Sequence, residues 1–212
     1  MFPEFACDDV FRLETRRMWL RWPHPADAVE IAHLAGDRAI AEMTGTIPHP
    51  YRDGDAVRYV ERTRARNASG RNLGLQMAFK GKPGAPIGAI GVDFDRGDAP
   101  TLGYWVGQPF WGRGLATEAV QALIDFVFTF TEAREVAAIA RVINPASRRV
   151  LEKCGFAYTG SGLESLPARG GMLPCDRFRL DRKVWFSLKC WRMPGLARER
   201  HLASDSEEAC PA

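Results

Sequence analysis

The stretch LGYWVGQPFWGRGLATEAVQALIDFVFTFT, Leu102 to Thr131, decides the fold, because three kinds of local structure follow one another in it. Leu102 to Val106 is an apolar, aromatic run with the character of a buried strand. Gly107 to Gly114 is a glycine-bearing turn. The helix pattern that follows places Ala116, Ala119, Val120, Leu123, Ile124, Val127 and Phe128 on one face at the i, i+3, i+4, i+7 spacing. A strand that turns through glycines into a helix start aims unpaired N–H groups and the positive end of the helix dipole at one point, which suits an anion and phosphate above all. Gly112 and Gly114, lacking Cβ, let a pyrophosphate approach the backbone. The turn is neither a Walker loop nor GxGxxG, since GRGLAT lacks both the GK[ST] ending and the third glycine. The same glycines also serve a plain tight strand–helix connection.

Working outward, 212 residues with 46% apolar content suffice for one ordinary domain with appendages. The net charge of +3 is too mild to argue for nucleic acid, and the small arginine clusters read as solvated faces. Cys7, Cys154, Cys175, Cys190 and Cys210 are odd in number, widely spaced and free of CxxC. The four histidines form no metal-binding grouping. Neither a metal site nor a disulfide framework is expected, and a reducing cytoplasm fits. No apolar run is long enough to span a bilayer, and Glu4, Asp8 and Asp9 stand where a signal peptide is basic.

Along the chain, residues 1–10 read as a loose lead-in, 11–186 as the domain and 187–212 as a tail ending in LASDSEEACPA. Phe11 to Arg21 reads as one strand, stopped by Pro23 and Pro25. Asp27 is an expected N-cap for a helix over Ala28 to Gly36 with Val29, Ile31, Ala32 and Leu34 inward, and Asp55 for one over Ala56 to Asn67 with Val57, Val60 and Thr63 inward. A short helix and a loop fall in Ala39 to Asp53. Asn72 to Lys80, Ile87 to Asp95 and Val136 to Val142 read as strands. Asn144–Pro145 opens a further helix as N-cap and first residue, and Gly155 closes it. Phe156 to Thr159 begins a strand, Gly160 to Cys175 reads as a long loop, and Asp176 to Phe186 as the last strand with a turn. This order predicts a mixed α/β fold of the α+β type around a central, largely antiparallel sheet.

Three blocks together, LETRRMWLR, IGAIGVDF with LGYWVGQPFWGRGLATEAVQALIDFVF, and ARVINPASRRVLEKCGF, resemble the GNAT superfamily of N-acetyltransferases, most closely its RimJ/RimL group. The resemblance covers Phe11 to Phe186. It implies a twisted sheet flanked by helices and splayed between its fourth and fifth strands, with acetyl-CoA in the splay. The pantetheine arm would pair with the backbone of Tyr104, Trp105 and Val106. The pyrophosphate would lie on the N–H groups of Gly112, Arg113, Gly114, Leu115 and Ala116, with Thr117 adding its hydroxyl. Asn144 matches the position whose amide holds the pantetheine arm, beside its reading as an N-cap. Ser147 would fall near the CoA sulfur. The implied partners are acetyl-CoA and an amine acceptor, either a protein N-terminus or a small molecule, with no nucleic acid and no membrane. Monomer and homodimer stay open.

Two departures from the family pattern matter. Its turn, Q/R-x-x-G-x-G/A, has Pro109 in first place, and the position seven after Asn144, where many members carry a thiolate-protonating tyrosine, is Leu151. Ser147 is left as the candidate acid. The glutamate that related chains place before G-Y-W is Thr101 here, which makes Asp93 the nearest carboxylate for a base. Alternation puts Asp93 and Asp95 on one face without saying which. Glu118 reads as a first-turn helix residue favoured by the dipole. Trp19, Trp22 and Tyr51, with Ala39 to Arg58 and the loop Gly160 to Cys175, are the expected acceptor side. The losses at positions 101 and 151 also fit a module that binds acyl-CoA without chemistry.

Overall fold

The computed structural model describes residues 1–95 and 99–192. In chain order it contains β1 (Arg12–Glu14), β2 (Met18–Arg21), α1 (Ala28–Ala35), α2 (Arg38–Met43), α3 (Asp55–Ala68), β3 (Asn72–Phe79), β4 (Pro86–Asp93), β5 (Thr101–Val106), α4 (Leu115–Phe130), β6 (Glu135–Arg141), α5 (Pro145–Lys153), β7 (Ala157–Leu166), β8 (Gly171–Asp181) and α6 (Arg182–Arg192). The strands form one 8-stranded sheet in the order β1-β2-β3-β4-β5-β6-β8-β7. Every neighbouring pair is antiparallel except β5–β6, which is parallel. The expected mixed α/β class with a largely antiparallel sheet is what forms.

Alternation along the strands sorts side chains to two layers. Met18, Leu20, Leu75, Ile90, Val92, Leu102, Val136 and Phe178 share a core with the apolar stripe of α4. Leu123 and Phe128 of that stripe are fully buried, so truncating either to alanine costs about 2–5 kcal/mol. On the other face α1, α2 and α3 form a second cluster of Ile31, Ala35, Ile40, Ala41, Ala56 and Val60, against which Trp105 packs.

The splay is a consequence of register. β5 and β6 pair only at Thr101–Ala137 and Leu102–Ala138, and beyond these residues the strands part. The opening falls between the fifth and sixth strands by count, one later than expected, because Phe11 to Arg21 is not one strand. It is a β1–β2 hairpin in which Arg12 pairs with Arg21. The Thr15 side chain makes the turn by accepting the Met18 N–H at 2.9 Å.

Other expectations are corrected. The N-terminal segment is not loose at its core contacts: Phe2 and Ala6 are buried, and Trp22 Nε1 donates to the Ala6 carbonyl. Asp27 stands at the N-cap position of α1, as expected, but its side chain makes no cap bond. Its carboxylate is ion-paired with Arg21 and accepts the His24 N–H. Asp55 opens α3 rather than preceding it, and accepts the Arg52 N–H. Val29 and Val57 face solvent, 81% and 48% exposed, because the inward stripes run through Ile31, Leu34 and Ala35 and through Val60, Thr63 and Asn67. Gly160 to Cys175 is not a loop but most of the β7–β8 hairpin, joined by a turn at Pro167–Arg169. Its first strand shows a single buried residue, so no alternation marked it. β8 ends at Asp181, and Arg182–Arg192 is the helix α6, where a turn and the start of the tail were expected. The RGD triplet and the tail beyond residue 192 lie outside the described residues.

Candidate active site

The site grows from the end of β5. Gly107 N–H closes onto the Ile87 carbonyl at 2.8 Å, a short 3-10 turn at Gln108–Phe110 follows, and Trp111 Nε1 donates back to the Val106 carbonyl at 2.6 Å. Gly112 and Gly114 then adopt φ of 74° and 71°. An L side chain at either position is strained. A Cβ on Gly112 meets nothing within 4 Å, so that glycine is required by its backbone angle, and the space over it is open. Gly114 is the N-cap of α4 and makes no side-chain cap bond. The first N–H groups of Leu115, Ala116 and Thr117 therefore present unpaired donors and the positive end of a 16-residue helix. Leu115 contributes only its backbone, because its side chain is in the core.

The backbone of β5 supplies a second set of groups. Ala137 N–H donates to the Pro100 carbonyl across the parallel pair, while Gly107 N–H faces β4. Alternation then turns Leu102, Tyr104 and Val106 toward β6. Past Leu102 there is no β6 to receive them. The gap is thus lined by the N–H and C=O of Tyr104 and the N–H of Val106, the Val106 carbonyl being taken by Trp111.

Across the gap stands the N-terminus of α5. Asn144 Oδ1 accepts the Ser147 N–H at 3.0 Å, so both the N-cap assignment and the orientation of the amide are fixed. The Asn144 Nδ2 makes no bond to another described residue. Ser147 Oγ lies 2.9 Å from the Tyr104 hydroxyl, which also donates to the Ser147 carbonyl at 3.2 Å. Burial pushes the Tyr104 phenol well above its ordinary pKa, against the opposing effect of the Ser147 hydrogen bond, so the hydroxyl keeps its proton at any physiological pH. Sequence reading used Tyr104 for its backbone alone. Its hydroxyl stands beside Ser147, and the parity of β5 puts that side chain on the α4 and α5 face. Trp105 points to the opposite layer. Leu151 is fully buried in the main core.

The carboxylates are both engaged. Asp93 pairs with Thr101 in the β4–β5 register, on the layer of α3, and its Oδ1 accepts from Arg66 at 2.8 Å and from the Asp95 N–H at 2.9 Å. It lies three strand positions from the level of Tyr104, roughly 10 Å along the sheet. Glu118 accepts from the Thr15 hydroxyl, the Arg17 N–H and the Arg17 guanidinium, each at 2.7 Å. Burial acts to raise its pKa, and these three bonds together outweigh it and leave the pKa lowered.

The expected acceptor side is assembled from both halves of the chain. At the open end of β6, Arg141 Nη1 donates to the Glu42 carbonyl at 2.5 Å, Ala168 N–H to the Gly45 carbonyl at 3.1 Å, and Arg169 to the Ile47 carbonyl. Leu166 packs against Gly45 so closely that a Cβ there would come within 2.6 Å. The tip of the β7–β8 hairpin is thereby latched to the segment after α2. Tyr51 packs in the α1–α3 cluster with Trp105. Burial, the largest influence on its phenol, raises the pKa to about 12. Trp19 and Trp22 do not belong here. Trp19 pairs with Ala78, three strands from β5, under Arg12 and Lys80, and Trp22 is in the core near the N-terminus. Among the described residues no group of His, Cys, Asp and Glu could hold a metal.

The donor set, an unpaired helix start beside an open glycine turn and a strip of unpaired β5 backbone ending at Ser147, matches a ligand with phosphate at one end and amides along its length, as CoA has. Comparison with known proteins agrees. The chain is 33% identical over 102 residues to the uncharacterized N-acetyltransferase p20 of Bacillus licheniformis, covering 47% of this chain and 57% of that one. The chain spans about half the length of the curated relatives it matches. Among solved structures, Mycobacterium smegmatis RimJ in complex with CoA-disulfide superposes with a TM-score of 0.70 at 23% identity, over 85% of this chain and 90% of that one. RimL, a ribosomal L7/L12 alpha-N-protein acetyltransferase in complex with coenzyme A, does so at 0.69 and 15%, over 81% and 98%. Both likenesses are of fold. The family model of the acetyltransferase (GNAT) domain matches residues 17–157, and the chain belongs to that family.

Proposed function

We propose that the protein transfers the acetyl group of acetyl-CoA to a primary amine, by direct attack within a ternary complex, and that the amine is the α-amino group of a peptide or protein. The observation that carries the reading is the continuity of the β5–β6 gap, from the glycine turn and α4 start at one end to Ser147 at the other. Acetyl-CoA supplies the activated acyl group as a thioester. Gly112, Arg113, Gly114, Leu115, Ala116 and Thr117 bind its phosphates, and the Tyr104 backbone and the free Asn144 amide nitrogen hold the pantetheine arm. The Val106 N–H polarises the thioester carbonyl.

Ser147 Oγ–H donates its proton to the departing thiolate and regains one through water from the proton that the amine gives up, while Tyr104, neutral and hydrogen-bonded to the same oxygen, holds the serine in place. Leu151 marks the loss of the family's tyrosine, and the strand tyrosine brings a phenol to that neighbourhood instead. The amine must give up one proton. Asp93 is the carboxylate that takes it, through water, because its distance and its Arg66 partner exclude direct contact. A weak, indirect base suits an α-amine, whose pKa of about 7.7–8.0 leaves a large neutral fraction at pH 8, better than a lysine near 10.4. The neighbours' printed names, which include ribosomal-protein N-terminal acetylation, support the same choice. Free thiols at Cys7, Cys175 and Cys190 fit the cytoplasm as the compartment, and no helix of the described residues is long and apolar enough to cross a membrane.

The test is thiol release from acetyl-CoA with a panel of peptides bearing free N-termini, the same peptides blocked at the N-terminus, and free polyamines. Turnover confined to unblocked peptides is expected. Tight CoA binding with no turnover on any amine would leave an acyl-CoA-binding module without chemistry.

A further inference from the structure

We infer that Arg17, from the β1–β2 turn, is a direct cationic contact for the pyrophosphate of the bound donor. The inference rests on the acetyl-CoA reading above and adds a residue outside the turn itself. Arg17 is held over the glycine turn by two bonds from its guanidinium. Nε donates to Glu118 Oε2 at 2.7 Å, and Nη1 donates to the Arg113 carbonyl at 2.8 Å. Nη2 makes no bond to a described residue, and it lies 3.7 Å from the place a Cβ on Gly114 would occupy. That is the position beside the N-cap of α4, next to the unpaired N–H groups. The side chain is 34% exposed, so it is not sealed in the core.

The neighbouring charges make the role necessary. Glu118 sits in the first turn of α4 with 15% of its side chain exposed. A carboxylate there opposes a doubly charged phosphate group across a short distance, and Arg17 cancels it while leaving both Nη2 N–H groups for the ligand. The family turn carries glutamine or arginine where this chain has Pro109, which offers no side-chain donor. Arg17 supplies a donor at the same turn from 96 residues away.

The experiment is calorimetric titration of the full chain with CoA, for the wild type, R17M, R17Q and the double variant R17M/E118Q, each checked for folding by circular dichroism and Tm. R17M is expected to bind CoA at least about tenfold more weakly. The salt dependence of its Kd should also be flatter than that of the wild type, since one screened contact is gone. R17M/E118Q should stay weak, because removing the carboxylate does not restore the contact. Affinity of R17M within twofold of wild type, an unchanged salt dependence, or recovery in R17M/E118Q each overturns the inference, the last by showing that Arg17 serves only to neutralise Glu118. If R17M does not fold, R17Q, which keeps a polar side chain without the charge, reads the same contact: weaker binding supports it and wild-type affinity overturns it. A wild-type chain that binds no CoA overturns the acetyl-CoA reading itself, an outcome distinct from a wild type that binds and an R17M that binds equally.

Discussion

The two sides of the β5–β6 gap are built in opposite ways. The donor side is made by contiguous chain, β5 running through the glycine turn into α4, and its donors are mostly backbone N–H groups fixed by φ angles and helix geometry. The opposite wall, the proposed acceptor side, is made by segments more than a hundred residues apart, with the tip of the β7–β8 hairpin latched to the residues after α2 by Arg169 and Ala168. Backbone cradles tolerate side-chain change except where a Cβ forces the angle. A latched wall depends on individual side chains and is where an acceptor preference can vary while the donor site stays the same.

The largest effect is expected where the backbone cradle is broken. Gly114→Val places a β-branched residue at φ 71° and crowds the phosphate position. The acetyl-CoA KM should rise by about a hundredfold or binding should be lost, with far-UV circular dichroism unchanged. A variant with normal CoA affinity would show that the turn is only a connection.

Next comes the proton path. Ser147→Ala should lower kcat by about ten- to a hundredfold with little change in CoA affinity, and Tyr104→Phe by less. Because the two hydroxyls share one hydrogen bond, the double variant should be no slower than Ser147→Ala alone within about twofold. Multiplicative losses would mean that they act separately. Asp93→Asn should shift the rise of kcat/KM with pH without abolishing turnover at pH 9, where the α-amine is neutral unaided. Complete loss at pH 9 would make Asp93 structural.

A smaller, one-sided effect tests the wall. Arg141→Ala removes the bond to the Glu42 carbonyl. It should raise the KM for the acceptor peptide by about five- to tenfold while leaving CoA titrations unchanged. Equal weakening of both substrates would mean that the two sides are not independent.

The smallest effect concerns stability. The pKa of Glu118 is lowered in the folded state, so its contribution is fully present above the unfolded value and is lost as pH falls through the folded one. Glu118→Gln should flatten the decline of Tm with acidification below about pH 4.5 by less than one proton's worth of slope. An unchanged slope would remove Glu118 from the acid transition.

Elements whose signal is local were legible before any coordinates. α4 was set by its spacing, Asn144 and Pro145 by the cap they form, and β5 by its apolar run, since each needs only a few consecutive residues to declare its period or its turn. The β7–β8 hairpin was not, because the inward positions of its first strand are Gly160, Gly162 and Glu164 before Leu166, which give no apolar alternation. Nor was the split of Phe11 to Arg21, which turns on one hydroxyl at Thr15 and a carboxylate 103 residues away.

By itself, then, the sequence determined the glycine turn, the start of α4 and the cap that places Ser147 on α5, because backbone geometry at glycines, caps and helix starts is dictated by neighbouring residues. Tertiary structure alone decided which side chains meet there. Tyr104 reaches Ser147 only because strand parity points it at α5. Arg17 reaches Gly114 only because the β1–β2 turn folds against the start of α4. Arg141 and Arg169 find carbonyls on the segment after α2 only once the hairpin closes. Such contacts carry no period in the chain, since what fixes them is the packing of elements distant in sequence.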